Sequence, residues 1–209
     1  MGIAGLILVA LVQPVGPATV DWQRGVLEVE AGAAPSLRAP NPGVARVGAE
    51  RAARQAATRK LLEAAAHLPV VGGGTVGDRL RKRPEARRWL EKTLDQVQPA
   101  RVRYASDGGI ELQVRLSLQK VARALAGDPE AAAAPAAGPG KSRSGAARIA
   151  ICRSRIQPAI LPQADLRFYA TLAEAKKDER LGPHPQTIRI GKLSDGDLRG
   201  GPVAVVIEK

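Results

Sequence analysis

Residues 44–68 read VARVGAERAARQAATRKLLEAAAHL. At about 100° per residue, Ala45, Ala49, Ala53, Ala56, Ala57, Leu61, Ala64 and Leu68 fall on one broad stripe, and Arg51, Arg54, Gln55, Thr58 and Arg59 point away from it. The pattern predicts one long alanine-rich helix. Small residues on the stripe let a helix lie close against a sheet, and Leu61 and Leu68, worth roughly 1.5–3 kcal/mol each when fully buried, anchor it. Lys60 falls inside the stripe and must snorkel outward. Asn41 reads as the cap and Pro42 as a first-turn proline, and Pro69 stops the helix because its ring cannot continue the hydrogen-bond ladder.

A helix with one apolar stripe needs a sheet to cover. Ala100, Val102 and Tyr104 alternate with Arg101 and Arg103; beyond Ser106-Asp107-Gly108, Ile110, Leu112, Val114, Leu116 and Leu118 alternate with Glu111, Gln113, Arg115 and Ser117. For the apolar faces to coincide, Tyr104 must pair with Ile110 and Val102 with Leu112, with Gly108 in the left-handed position, which sets Arg103 opposite Glu111. The long helix is the expected cover of this hairpin. Upstream, Leu27, Val29 and Ala31 alternate with Glu28 and Glu30, giving a strand over residues 25–31. Residues 70–76, VVGGGTV, read as a glycine-rich bend or weak strand. A shorter helix from Pro84 presents Ala86, Leu90, Leu94 and Val97 on one side with Trp89 beside them, leaving Arg87, Arg88, Glu91 and Lys92 in water. The expected class is α+β: a long Ala-rich helix and a shorter helix on an antiparallel sheet, followed by a smaller, mostly β unit.

Four segments follow in order. Residues 3–12, IAGLILVALV, are an apolar run of signal-peptide length, too short to span a membrane, with Gly16 and Ala18 suited to cleavage after Ala18; no Lys or Arg precedes the run, and the alternative is a buried strand or helix. The reading is therefore signal peptide 1–18, an α+β domain 19–125, an Ala/Pro/Gly-rich linker 126–146 and a C-terminal unit 147–209. In that last unit, residues 148–152, 187–190 and 203–207 read as strands and 172–180 as a helix.

The 209 residues carry 32 Lys and Arg against 20 Asp and Glu, a formal charge of +12, which attracts anionic lipid, envelope polymer or nucleic acid without choosing among them. Aromatics are only 2% of the chain, which removes the stacking platforms of many single-strand nucleic-acid binders. The single cysteine, Cys152, excludes an intramolecular disulfide. Gly140-Lys141-Ser142 imitates the end of a phosphate-binding loop, but Pro135 stands where the motif needs glycine and no strand feeds it. Gly72-Gly73-Gly74 lacks a following lysine and reads as a turn. Cys152, His67 and His184 have no spacing that suggests a nucleophile and base or a zinc site, and read as a core cysteine and two surface histidines. No catalytic, cofactor-binding or metal-ligating residue is nominated. The densest basic run, Arg79, Arg81, Lys82, Arg83, Arg87 and Arg88, supplies the candidate contacts to an anionic surface, weighed against an ordinary solvated face.

The order strand, Ala-rich helix, second helix, hairpin resembles a family of small bacterial envelope proteins, the roughly twenty-kilodalton outer-membrane lipoproteins, and the related amino-terminal domain of flagellar assembly protein T. The resemblance rests on Val20-Asp21-Trp22 with Gly25, on Ala45-Arg46 and the alanines from Ala49 to Ala57, and on Asp107-Gly108 with the alternating strand after it. It rests also on Pro158-Ala159-Ile160-Leu161-Pro162 and on Arg180-Leu181-Gly182-Pro183-His184-Pro185. Two departures stand out: no lipid-accepting cysteine follows the apolar run, and Cys152-Arg153-Ser154-Arg155 replaces an Ala-Arg-Gly-like stretch. The resemblance implies a non-enzymatic, structural or assembly role in the periplasm or a flagellum-associated complex, as a soluble periplasmic or secreted protein with no transmembrane helix in its mature chain. Its partners would be other envelope proteins or an anionic envelope surface, with nucleic acid disfavoured. The alternative is a basic binding module for anionic lipid, envelope polymer or nucleic acid.

Overall fold

The structure, a computed structural model, describes residues 11–127, 147–152, 157–162, 164–190, 198 and 201–207. Most of the apolar run (3–10), most of the linker with its Gly-Lys-Ser (128–146) and residues 153–155 lie outside the described residues. The fold is α+β, with a five-stranded antiparallel sheet and a four-stranded parallel one.

The first sheet contains β1 (Val12–Val15), β2 (Ala18–Asp21), β3 (Val26–Ala33), β4 (Pro99–Tyr104) and β5 (Ile110–Ser117), in the order β1-β2-β3-β5-β4. Period-two alternation decides which face is dry. Leu27, Val29 and Ala31 of β3 and Ile110, Leu112, Val114 and Leu116 of β5 are buried. On the opposite face, Arg115 Nε lies 2.6 Å from Glu28 Oε2 and Arg103 Nε 3.0 Å from Glu111 Oε2. The hairpin has the expected register, Tyr104↔Ile110 and Val102↔Leu112, with Gly108 at φ 83°. The cleavage position expected after Ala18 lies where β2 begins, and Ala18 itself is buried opposite Val29.

Helix α1 (Pro42–His67) starts where the sequence places its cap: Asn41 Oδ1 accepts from the Val44 N–H at 2.9 Å. Its buried residues, Ala49, Ala53, Ala57, Leu61, Ala64 and Ala65, lie against β3 and β5. Lys60 reaches out of the stripe and donates to the Glu30 carbonyl at 2.7 Å. The expected cover of the hairpin is only partial. As the sheet edge, β4 lies beyond the helix, and Val102 and Tyr104 stay largely exposed.

The stretch read as a bend or weak strand is a bend: Pro69 and Val70 make only isolated bridges, and Gly72, Gly73 and Gly74 all take positive φ. A further helix that the sequence pattern did not suggest, α2 (Val76–Lys82), follows it. α3 (Pro84–Asp95) is the expected second helix, and Leu118, read as the end of a strand, instead opens α4 (Leu118–Ala126). α4 packs on α3, burying Leu118, Val121, Ala122 and Leu125.

After residue 147 the strands β6 (Arg148–Cys152), β7 (Asp165–Tyr169), β8 (Gln186–Ile190) and β9 (Pro202–Ile207) form the parallel sheet, in the order β7-β9-β6-β8. All of β9 is buried, as a central parallel strand covered on both faces should be. The helix expected over residues 172–180 is one turn, α5 (Leu172–Ala175), followed by a 3-10 turn at Glu179–Leu181. The strand β7 is absent from the sequence reading.

The two sheets share one apolar core. Ile160, Leu161, Phe168, Val203 and Val205 belong to the same buried cluster as α1 and the first sheet. Trp22, in the turn between β2 and β3, meets Phe168 edge-on with ring centroids 5.8 Å apart, and the Phe168 N–H donates to the Trp22 carbonyl at 3.2 Å. A second seam runs through Ile160, whose N–H donates to Pro69 at 2.8 Å and whose carbonyl accepts from Val71 at 2.9 Å.

Candidate functional site

All six basic residues singled out in the sequence lie on α2, α3 and the single residue between them, and all six are exposed. The backbone is fixed there for local reasons. Thr75 and Asp78 form a capping box: the Asp78 N–H donates to Thr75 Oγ1 at 3.2 Å, and the Thr75 N–H donates to Asp78 Oδ2 at 2.8 Å. The Thr75 backbone N–H, with its hydroxyl and nearby Arg81 and Lys82, holds the Asp78 carboxyl below its ordinary range. Pro84 opens α3 directly after Arg83, so the chain turns between two short helices.

The six cations divide by partner. Arg81 pairs with Asp78, Arg87 Nε lies 2.9 Å from Glu91 Oε1, and Arg83 Nη1 donates to the Leu125 carbonyl at 3.3 Å. Arg79, Lys82 and Arg88 have no ion pair among the described residues. A shallow depression of about 490 Å³ brings Gly72, Gly73 and Gly74 together with Asp78, Arg79, Arg81 and Lys82. A carboxylate already occupies the opening of α2, so this corner is not a cradle for a single phosphate. It offers spread positive charge, which suits an extended polyanion or an acidic face.

The other sequence candidates separate. Cys152 is buried, whereas His67 and His184 are exposed, so no thiol and imidazole come together. Among the described residues no group of three or more His, Cys, Asp or Glu stands together as a metal site. Trp89 does not offer a stacking platform to a base, because its ring packs against Gly127 at the end of α4.

One charged cluster escapes the sequence reading. The Tyr169 hydroxyl donates to buried Asp178 Oδ2 at 2.8 Å, Arg180 Nε donates to Asp178 at 3.0 Å, and Arg180 Nη1 lies 2.7 Å from Asp165 Oδ1 without hydrogen-bond alignment. Burial pushes the Asp178 carboxyl up, but the Arg180 guanidinium, the Tyr169 hydroxyl and the Arg180 backbone N–H outweigh it and hold the group below 3.8. Burial, reinforced by Asp178, raises the Tyr169 phenol above 10.0. The network fastens the segment after α5 to β7, and only the Arg180 Nη1 within it lacks a hydrogen bond among the described residues. The only sequence signal was an Asp two residues before an Arg, which is too common to use.

No family model and no curated protein matches the chain. Among the described residues no helix is long and apolar enough to cross a membrane.

Proposed function

We propose that the chain is an exported, non-enzymatic protein of the bacterial envelope, structural or assembly in type, acting in the periplasm or in a flagellum-associated complex. It meets its partner, another envelope protein with an acidic face or an anionic envelope polymer, through the α2–α3 corner. The observation that carries this reading is the exposure of Arg79, Arg81, Lys82, Arg83, Arg87 and Arg88 on two short helices and the residue between them, with only Arg81 and Arg87 in ion pairs among the described residues. The apolar run at residues 3–12 and the resemblance to small envelope proteins support the compartment.

Fusing residues 1–24 to a reporter that works only after export tests the compartment; activity is expected, and a reporter confined to the cytoplasm overturns it. Replacing Arg79, Lys82 and Arg88 together by Glu tests the surface: the variant is expected to lose salt-sensitive binding to an immobilised acidic polymer, polyglutamate, while melting like the parent. Undiminished binding would place the contact elsewhere. Binding of the parent to duplex DNA with a steep salt dependence would instead favour a nucleic-acid module.

A further inference from the structure

Five of the six large apolar side chains left in water among the described residues gather in one place; Val12, 56% exposed on the opposite sheet edge, β1, stands apart. Leu37 is 100% exposed, Val47 58%, Tyr104 53% and Val44 49%, and Val102 is also exposed. These residues come from three elements that meet at one end of the molecule. Leu37 and Arg38 form the tip of a turn closed by the Ala39 N–H donating to the Ser36 carbonyl at 3.2 Å. The β4–β5 turn sits against the same loop, since a Cβ on Gly108 would lie 3.5 Å from Pro35. Arg46 of α1 lies over the Tyr104 ring, 4.9 Å from its centroid, which ties the first turns of the helix to the free edge of the sheet. Along the outer side of α1, Val44, Val47 and Gly48 line a shallow open hollow with Asn41, Gly43 and Arg51.

The charge around this end is positive. Arg38, Arg46 and Arg51 have no ion pair among the described residues. Of the nearby carboxylates, Glu50 is held by Arg54 at 2.8 Å, Glu111 by Arg103 at 3.0 Å, and Asp107 accepts from the Gly109 N–H at 2.9 Å. An α-helix of 26 residues is about 39 Å long, so this end is separated by most of a domain from α2, which packs at the last turns of α1.

We propose that this end of the protein docks on an anionic membrane surface. Apolar side chains that protrude from a turn, a helix and a strand edge, without a walled groove, match a fluid interface that moulds to them better than a peptide needing pockets. Leu37, with Val44 and Val47 behind it, enters the acyl boundary, while Arg38, Arg46 and Arg51 remain at the level of the lipid phosphates. This contact is independent of the α2–α3 corner.

The purified full chain is sedimented with phosphatidylethanolamine vesicles with and without phosphatidylglycerol. Binding is expected only with the anionic lipid, weaker at high salt. The variant L37S/V47S, which changes neither charge nor core, should bind about tenfold more weakly. In a Leu37→Trp variant, emission above the parent's own signal should shift to the blue and be quenched by brominated lipid. Absence of binding to anionic vesicles overturns the proposal. So does undiminished binding of L37S/V47S with an unshifted Trp signal, and loss of that binding on charge reversal of Arg79, Lys82 and Arg88 would move the contact to the other end. Binding to a soluble peptide of alternating Glu and Leu but to no vesicle overturns it in favour of a protein partner.

Discussion

Asp178 keeps a full charge where almost no water reaches it, and the residues that allow this make it a reporter of stability. Its folded value lies below the ordinary 3.8, so the stability it contributes is present above that pH and is lost as pH falls through the depressed value. Tyr169, raised above 10.0, acts at the other limb: its contribution is whole below pH 10.0 and is lost as pH rises through the raised value. Melting curves across pH should therefore fall at both ends. Asp178→Asn should flatten the acid limb and cost about 3 kcal/mol near neutrality, because Arg180 keeps its charge with one partner fewer. Trp22 offers a second test. Its ring is buried but its Nε1 has no hydrogen-bond partner, so Trp22→Ala should cost roughly 3–5 kcal/mol. Trp22→Phe, which removes the unsatisfied N–H and keeps the ring contact, should cost about 1 kcal/mol or less by chemical denaturation.

Among the elements, α1 was legible because its stripe repeats through seven turns and its cap and stop are both strong local signals. α2 was missed although Thr75-Val76-Gly77-Asp78 spells a capping box; only Val76 and Leu80 repeat in so short a helix, and three glycines precede it. That box gives the element its test: Thr75→Ala should cost about 1 kcal/mol, and the exposed pairs of α2 should contribute much less. β4 shows the opposite error. Its pairing followed from the alternation of residues 100–104, but its burial did not, since being an edge strand depends on where α1 lies. β7, Asp165-Leu166-Arg167-Phe168-Tyr169, alternates too briefly and carries too much charge to stand out from a loop.

At the scale of the whole molecule, a continuous apolar core joins what reads as two domains and a linker. Phe168 against Trp22, and Ile160 between Pro69 and Val71, join the parallel sheet to the antiparallel one through a continuous core. Calorimetry should show one transition whose van't Hoff and calorimetric enthalpies agree. Two resolved transitions would mean that the seam contributes little. The molecule is also bipolar, with the α2–α3 cations at one end of α1 and the exposed apolar side chains with Arg38, Arg46 and Arg51 at the other.

The sequence alone determined the α+β class, the span and buried stripe of α1, the hairpin register with Arg103 against Glu111, and the strands at residues 148–152 and 203–207. Each of these depends on a local period or a local turn, which hydrophobic patterning records directly. The basic run was equally plain, because charge is a property of composition. Tertiary structure alone decided that Trp22 would be a peg between sheets, that Asp178 would be charged and buried, that Val102 and Tyr104 would remain wet, and that most of the apolar exposure would gather at one end. Those outcomes depend on contacts between segments far apart in the chain, and no local period encodes them.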